Sequence, residues 1–409
     1  MRTRLRNFKR AQALVMFALL LVVLLLFIGL CIDIGFGCVT KLRIAKAVDA
    51  ATVTGIRNLS LGQSTAENLA LRSFNANYAN SRIDVTAPTP QIAFGVDAAN
   101  NTILDVSAST QIRTFFIGLA GFQTLNVGAS AQGLRTKLIM SLVLDRSGSM
   151  QDNGGDDEMP GAVSSFLDYF DDAHDRVSMS SFAYHGRTDV PLSQPFKSAI
   201  NSAVASLNYD GWTCSEQGLV KGRQQIEGVT IQPGEAVVKA LVFFTDGMAN
   251  SFQYNFDCGA RNMTPNACPP TLSTPGLRNP DTGAAASAGC TIPQTIPSIA
   301  PPFTPFNPRD RIQLQQEAEK RAIHAANQAR AQGIHVYAIG LGNPNQGAEC
   351  NGTFPVINPA FLRAVANDPD SPGFDPNQPE GAMVIAANAN ELKAAFDTIA
   401  AKIIFRLSR

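Results

Sequence analysis

Lys137-Leu138-Ile139-Met140-Ser141-Leu142-Val143-Leu144 is almost wholly apolar and runs directly into Asp145-Arg146-Ser147-Gly148-Ser149, a cluster of oxygen-bearing side chains. A short apolar run without alternation reads as a strand buried on both faces, the kind found in parallel sheets covered by helices. Open α/β sheets bind their ligands beyond the carboxyl ends of the strands. The D-x-S-x-S segment therefore stands where a site belongs.

A second run of the same kind, residues 240–245 (ALVFFT), ends at Asp246-Gly247 and delivers another carboxylate to the same edge of the sheet. Thr213, in the segment GWTCSEQGL at 211–219, adds a hydroxyl. Hard divalent cations such as Mg²⁺, Mn²⁺ or Ca²⁺ take oxygen ligands, and Mg²⁺ keeps several waters. Asp145, Ser147, Ser149, Thr213 and Asp246 fit that inventory. Two carboxylates with three hydroxyls leave the cation electrophilic and one position open, which a partner's carboxylate can fill.

These motifs carry a family resemblance. Residues 136–409 resemble a von Willebrand factor type A domain, whose metal-ion-dependent adhesion site uses D-x-S-x-S, a threonine and a T-D-G aspartate. Asp145, Ser147 and Ser149 match the first motif, Thr213 the threonine and Asp246 the aspartate. The resemblance implies a Rossmann-like, doubly wound parallel sheet. It also implies metal-dependent binding of a protein ligand, with no bond made or broken.

Lysine and arginine together number 33, as do aspartate and glutamate, so the formal net charge of zero gives no sign of a nucleic-acid partner. The distribution is more informative. Arg2, Arg4, Arg6, Lys9 and Arg10 precede the charge-free apolar run at 11–32, which as a helix reaches about 33 Å, enough to cross a bilayer. Basic residues stay cytoplasmic. The expected order is a cytoplasmic segment at 1–10, a single transmembrane helix at 11–37 and an exported remainder. A cleaved signal peptide is the rival reading; against it stand the length of the run and the lack of a small-x-small site directly after it. Cys31 and Cys38 stand in poor contexts for lipidation.

Between the span and the type A domain, residues 38–135 read as a small α+β module: helices at 40–58 and 64–77, then strands at 88–95, 102–116 and 125–132. Within it, Thr114-Phe115-Phe116-Ile117-Gly118-Leu119 reads as an apolar loop or short helix between strands, packed into the core. The basic start, the apolar anchor, Ile32-Asp33-Ile34-Gly35 and Ala47-Val48-Asp49-Ala50-Ala51 resemble the TadG-like and TadE-like membrane proteins of tight-adherence (Flp) pilus assembly. That resemblance implies a bacterial inner-membrane protein with a periplasmic domain and pilus-assembly partners. One departure is plain: no acidic residue occurs before Ile32, whereas related pseudopilins carry a processing-site glutamate.

In the type A segment the chain reads as strands at 137–144, 176–183, 189–196, 240–245, 333–340 and 383–386. Helices are expected at 158–170, 197–207, 216–227, 311–332, 359–366 and 390–405. Such alternation argues for a doubly wound sheet. Residues 250–308, rich in Pro and Gly and holding Cys258, Cys268 and Cys290, form an insertion on the motif-bearing side, either a tethered loop or a specificity loop. With Cys214 and Cys350 the exported cysteines number five, so they cannot all pair. The acidic residues from Asp152 to Asp175 read as a solvated helix face, and His335 as a packed core residue. Two alternatives remain: a metal-dependent hydrolase using Asp145 and Asp246, and a membrane scaffold without metal-dependent binding.

Overall fold

The computed structural model describes residues 2–78, 84–256, 262–263, 277–279, 284, 292–300, 303–345 and 357–407, with side chains from Val15 onward save those of Ala120, Asn262 and Met263. Two compact units divide at Arg135 and Thr136.

The first unit is organised by α1 (Arg2–Arg57), one helix of 56 residues. Among the described residues it is the one helix long and apolar enough to cross a bilayer. Its later turns carry Ile44, Ala47, Val48 and Ala51 on one buried face, at the spacing expected of an amphipathic helix. That face packs on α2 (Gln63–Asn77) through Ala70 and Phe74. It also packs on an antiparallel sheet of β1 (Gln91–Val96), β2 (Thr102–Arg113) and β3 (Thr124–Arg135), in the order β1-β2-β3. Along β2, Leu104, Val106, Ala108, Thr110 and Ile112 are buried and their neighbours exposed. This is the alternation of a sheet with one wet face.

The β2–β3 connection departs from the sequence reading. The segment expected in the core leaves Phe115 and Leu119 exposed, as is Phe122 just beyond it, and Ile117–Ala120 forms the short helix. A run of apolar residues looks the same in sequence whether it faces a core or projects from one.

The second unit contains β4 (Lys137–Asp145), α3 (Ser149–Asp152), α4 (Gly155–Asp168), β5 (Arg176–Phe182), β6 (Gly186–Ser193), α5 (Lys197–Ala205), α6 (Ser215–Glu227) and β7 (Val237–Thr245). The small strands β8 (Tyr254–Asn255) and β9 (Asn262–Met263) follow, then α7 (Arg311–Ala331), β10 (His335–Leu341), α8 (Pro359–Ala366), β11 (Ala382–Ala386) and α9 (Leu392–Leu407). The main sheet has the order β11-β10-β7-β4-β5-β6. Five strands are parallel, as expected, and the edge strand β6 is antiparallel to β5. That hairpin begins at 186 and not at 189, because the chain turns back at once through Ala183 and His185, whose N–H and carbonyl bond at 3.1 Å.

The central strands are apolar on both faces because helices cover both. Leu138, Met140, Leu142 and Leu144 of β4 face one layer with Phe166 of α4 and Phe396 of α9. Ile139 and Val143 face the other, with Leu219 of α6, Ala322 of α7 and Leu362 of α8. The acidic run is only partly the solvated face expected. Asp175 is fully buried and accepts from the N–H groups of Leu138 and Asp171, while Asp172 accepts from those of Phe196 and Lys197 at the start of α5. His335 is half-buried, its Nδ1 bonded to the Glu380 carbonyl at 2.8 Å, and so is not the packed core residue expected.

Candidate functional site

The strand order places the site. From β4 the chain moves to β5 on one side, then returns through β7 on the other. The carboxyl ends of β4 and β7 therefore flank the topological switch point, where open sheets leave a crevice. Asp145 is the last residue of β4 and Asp246 follows the last residue of β7. Both are fully buried.

Hydrogen bonds link these carboxylates to the loops around them. Asp145 Oδ1 accepts from the Ser147 N–H at 2.8 Å, an Asx turn that bends the chain into the serine segment. Asp145 Oδ2 accepts from Thr245 Oγ1 at 2.6 Å, so the end of β7 holds the carboxylate at the end of β4. Asp246 Oδ1 accepts from Ser149 Oγ and Oδ2 from Asn153 Nδ2, each at 2.9 Å. Ser147 Oγ and Ser149 Oγ lie 3.1 Å apart. One connected network thus contains Asp145, Ser147, Ser149 and Asp246.

Thr213 reaches the same place from another loop. Its N–H donates to Asn250 Oδ1 at 2.8 Å, and the Asn250 N–H returns a bond to the Thr213 carbonyl at 3.1 Å. The Gly148 N–H donates to the Gly211 carbonyl at 3.1 Å, tying the serine loop to the threonine loop. A Cβ built on Gly247 would lie 3.6 Å from Ser149 Oγ and 3.8 Å from Thr213 Oγ1, so the two hydroxyls border one small space at that glycine. Behind the loop, α6 lies close on the sheet. A Cβ on Gly222 would come within 2.4 Å of Val143 Cγ2.

All five residues singled out in the sequence are brought together, and three more join them: Thr245, Asn153 and Asn250. Thr245 carried a signal, a hydroxyl ending an otherwise apolar strand. Asn153 and Asn250 carried none, since asparagine in a loop is ordinary.

Electrostatics at the site are unbalanced. Burial raises the Asp246 carboxyl above its usual range, and the neighbouring Asp145 charge raises it further. Asp145 is also raised by burial, against the opposing effect of bonds from Ser147 and Thr245. The hydrogen bonds to both carboxylates come from neutral groups. Even with the Arg146 charge acting on Asp145, two buried carboxylates bonded to neutral donors are costly as a charged pair unless a cation or protons join them. Among the described residues no three His, Cys, Asp or Glu side chains gather at one point. The donor set is two carboxylates and three hydroxyls, which fits a hard cation that keeps water, and not a thiolate or imidazole zinc centre.

At the rim, Trp212 meets Tyr184 edge to face with ring centroids 5.2 Å apart. The Arg278 guanidinium sits 5.6 Å from the Tyr184 centroid and 5.8 Å from that of Trp212. Arg278 belongs to the 250–308 insertion, so one part of that insertion stands beside the threonine loop. Cys214, next to Thr213, is a free and fully buried thiol whose pKa burial pushes up. It is thus no disulfide partner; Cys258, Cys268, Cys290 and Cys350 lie outside the described residues.

Comparison with solved structures finds similar chains of low identity. The pilus adhesin SpaC from Lactobacillus rhamnosus GG is 17% identical with a TM-score of 0.43, over 78% of this chain and 35% of that one. This chain therefore spans about a third of that adhesin's length. The von Willebrand domain of the type V pili tip protein Mfa5 from Porphyromonas gingivalis is 16% identical with a TM-score of 0.43, over 67% of this chain and 97% of that one. Proximal thread matrix protein 1 from the mussel byssus, with a zinc-occupied MIDAS motif, is 14% identical with a TM-score of 0.37, over 66% and 46%. No curated protein matches the chain. Residues 140–265 match the family model of the von Willebrand factor type A domain, so this chain contains a von Willebrand factor type A domain, built on the sheet whose switch point holds the site.

Proposed function

We propose that this protein is a membrane-anchored adhesion or assembly protein that binds a partner's carboxylate through a divalent cation held at the switch point. The observation that carries this reading is the convergence of Asp145 and Asp246 with a hydroxyl network from Ser147 and Ser149. Asp145, Ser147, Ser149, Thr213 and Asp246 would hold the cation, with Mg²⁺ favoured and Mn²⁺ or Ca²⁺ as substitutes. The cation would supply an electrophilic position for an anionic ligand. The chain's own groups keep the two carboxylates fixed and buried.

Binding rather than turnover is the better account. The groups bonded to the two carboxylates are hydroxyls, a side-chain amide and a backbone N–H. None of these bonded groups is a general base, and the two raised carboxyls that could serve as one would be taken up as the cation's own ligands. The basic start and apolar α1 support a single-pass anchor in a bacterial inner membrane with a cytoplasmic N-terminus. Together with the resemblance of the N-terminal module, this leads us to place the partner among tight-adherence pilus components.

The test is co-purification from membranes of the source cell, with Mg²⁺ or with a chelator, using the full chain and its Asp246→Ala variant. A partner retained only with Mg²⁺ and only by the unsubstituted chain supports the proposal. A partner retained equally in chelator and by the variant contradicts it.

A further inference from the structure

The loop between β2 and β3 is apolar, exposed and aimed along the helix that would enter the membrane. Leu119 is 81% exposed, Phe122 67% and Phe115 54%, all within eight residues. Soluble proteins rarely leave so many large apolar side chains together in water without a partner for them.

The position of the loop on α1 identifies that partner. A Cβ on Gly37 would lie 2.9 Å from Leu125, near the start of β3, and one on Gly133, near its end, 2.8 Å from Thr52. Eight residues of strand cover about 26 Å, and the fifteen helical residues from Gly37 to Thr52 about 22 Å. The hairpin thus runs beside α1 with its tip toward the apolar run. The tip then reaches inside that run: a Cβ on Gly29 would lie 2.4 Å from Phe116, so only a glycine lets the ring seat there. Gly29 lies about 4.5 Å along the helix from Ile32, where the charge-free stretch ends.

The loop is held there firmly. Both Asp33 carboxylate oxygens are used, Oδ1 accepting from the Phe115 N–H at 2.9 Å and Oδ2 from those of Phe116 and Ile117 at 2.9 and 2.7 Å. The Phe36 and Phe115 rings lie 5.8 Å apart. Thr114 Oγ1 donates to the Phe122 carbonyl and closes the loop. The one acidic group at the end of the apolar run is therefore spent on backbone N–H groups, as a carboxylate at membrane depth must be.

We propose that the 114–123 loop inserts into the outer leaflet of the bilayer beside α1, burying Phe115, Leu119 and Phe122 among lipid chains as a second membrane contact. This rests on α1 being the membrane anchor. Lipid is favoured over a protein occupant because the loop continues the same exposed apolar surface that α1 presents from Val15 to Phe36.

The test uses the full chain in lipid nanodiscs with bromine placed on the acyl chains, either near the headgroups or near the chain ends. Trp212 is the single native tryptophan, and its emission in the unsubstituted chain is the baseline. Leu119→Trp and, as a reporter of the anchor, Leu20→Trp are compared with it. The expected result is loss of the added emission in both variants, Leu119→Trp quenched most by bromine near the headgroups and Leu20→Trp by bromine deep in the chains. Quenching in Leu20→Trp alone overturns the loop insertion and leaves the anchor standing, as does a Leu119→Trp signal altered only by a second copy of the chain. Quenching in neither overturns the anchor and the insertion with it.

Discussion

Thr245 Oγ1 donates a 2.6 Å hydrogen bond to Asp145 Oδ2, joining the carboxyl ends of β7 and β4. Thr245 stands beside Asp246 in sequence yet serves the other aspartate. Such a partner fixes the orientation of a ligand without ligating, and losing one typically costs 10- to 100-fold in metal affinity. Thr245→Val keeps the shape of the side chain and removes the donor. Its Mg²⁺ affinity, measured by calorimetry, is expected to fall by about 10- to 100-fold with the circular dichroism spectrum unchanged.

The raised carboxyls make a signed pH prediction. Asp145 and Asp246 bind protons more tightly folded than unfolded. Above the ordinary carboxylate pKa near 4 the unfolded chain has released protons that the fold still holds, so metal-free stability falls as pH rises through the raised values. Urea unfolding in chelator should give a lower midpoint at neutral pH than at mildly acidic pH. Added Mg²⁺ should raise the midpoint by more as pH rises, because the cation must displace the protons that the raised carboxyls hold.

Close packing of α6 supports the threonine loop. Gly222→Ala would drive a methyl against Val143, whose Cγ2 lies 2.4 Å from the position of the new Cβ. Overpacking of this kind costs about 1–3 kcal/mol. The unfolding free energy in denaturant should drop by about that amount, and Mg²⁺ affinity should weaken because α6 begins two residues after Thr213.

Arg278 separates partner recognition from cation binding. Arg278→Ala removes the guanidinium from over Tyr184 and Trp212 without touching the two carboxylates. Mg²⁺ affinity should be unchanged. The Kd for the partner isolated in the chelator experiment should rise about 5-fold, because the Tyr184 and Trp212 rings beside the threonine loop lose the contact, about 1 kcal/mol, that holds them in place.

The sheet and its motifs were legible in the sequence because they rest on simple rules. Residues 137–144 and 240–245 are apolar on both faces, so they had to be central strands, and the aspartates that end them had to lie on one edge. What stayed hidden depended on three-dimensional partners. Asn153 and Asn250 became part of the site only when their loops folded back, and Asp175 became structural only when Leu138 arrived to donate to it. The 114–119 segment was legible as a connection between strands, but its burial was misread because apolar composition does not say whether a run faces a core or projects from one. β6 was placed three residues late because a tight antiparallel return leaves no helical period to mark it.

The most direct test is calorimetric titration of Mg²⁺ and Mn²⁺ into the full chain, beside the same chain carrying Asp145→Ala. Saturable binding at one site, lost in the variant while its thermal unfolding remains cooperative, is the result expected of a cation held between the ends of β4 and β7. Binding of equal strength in both chains, or none in the unsubstituted chain even with an added carboxylate such as acetate, would contradict the account.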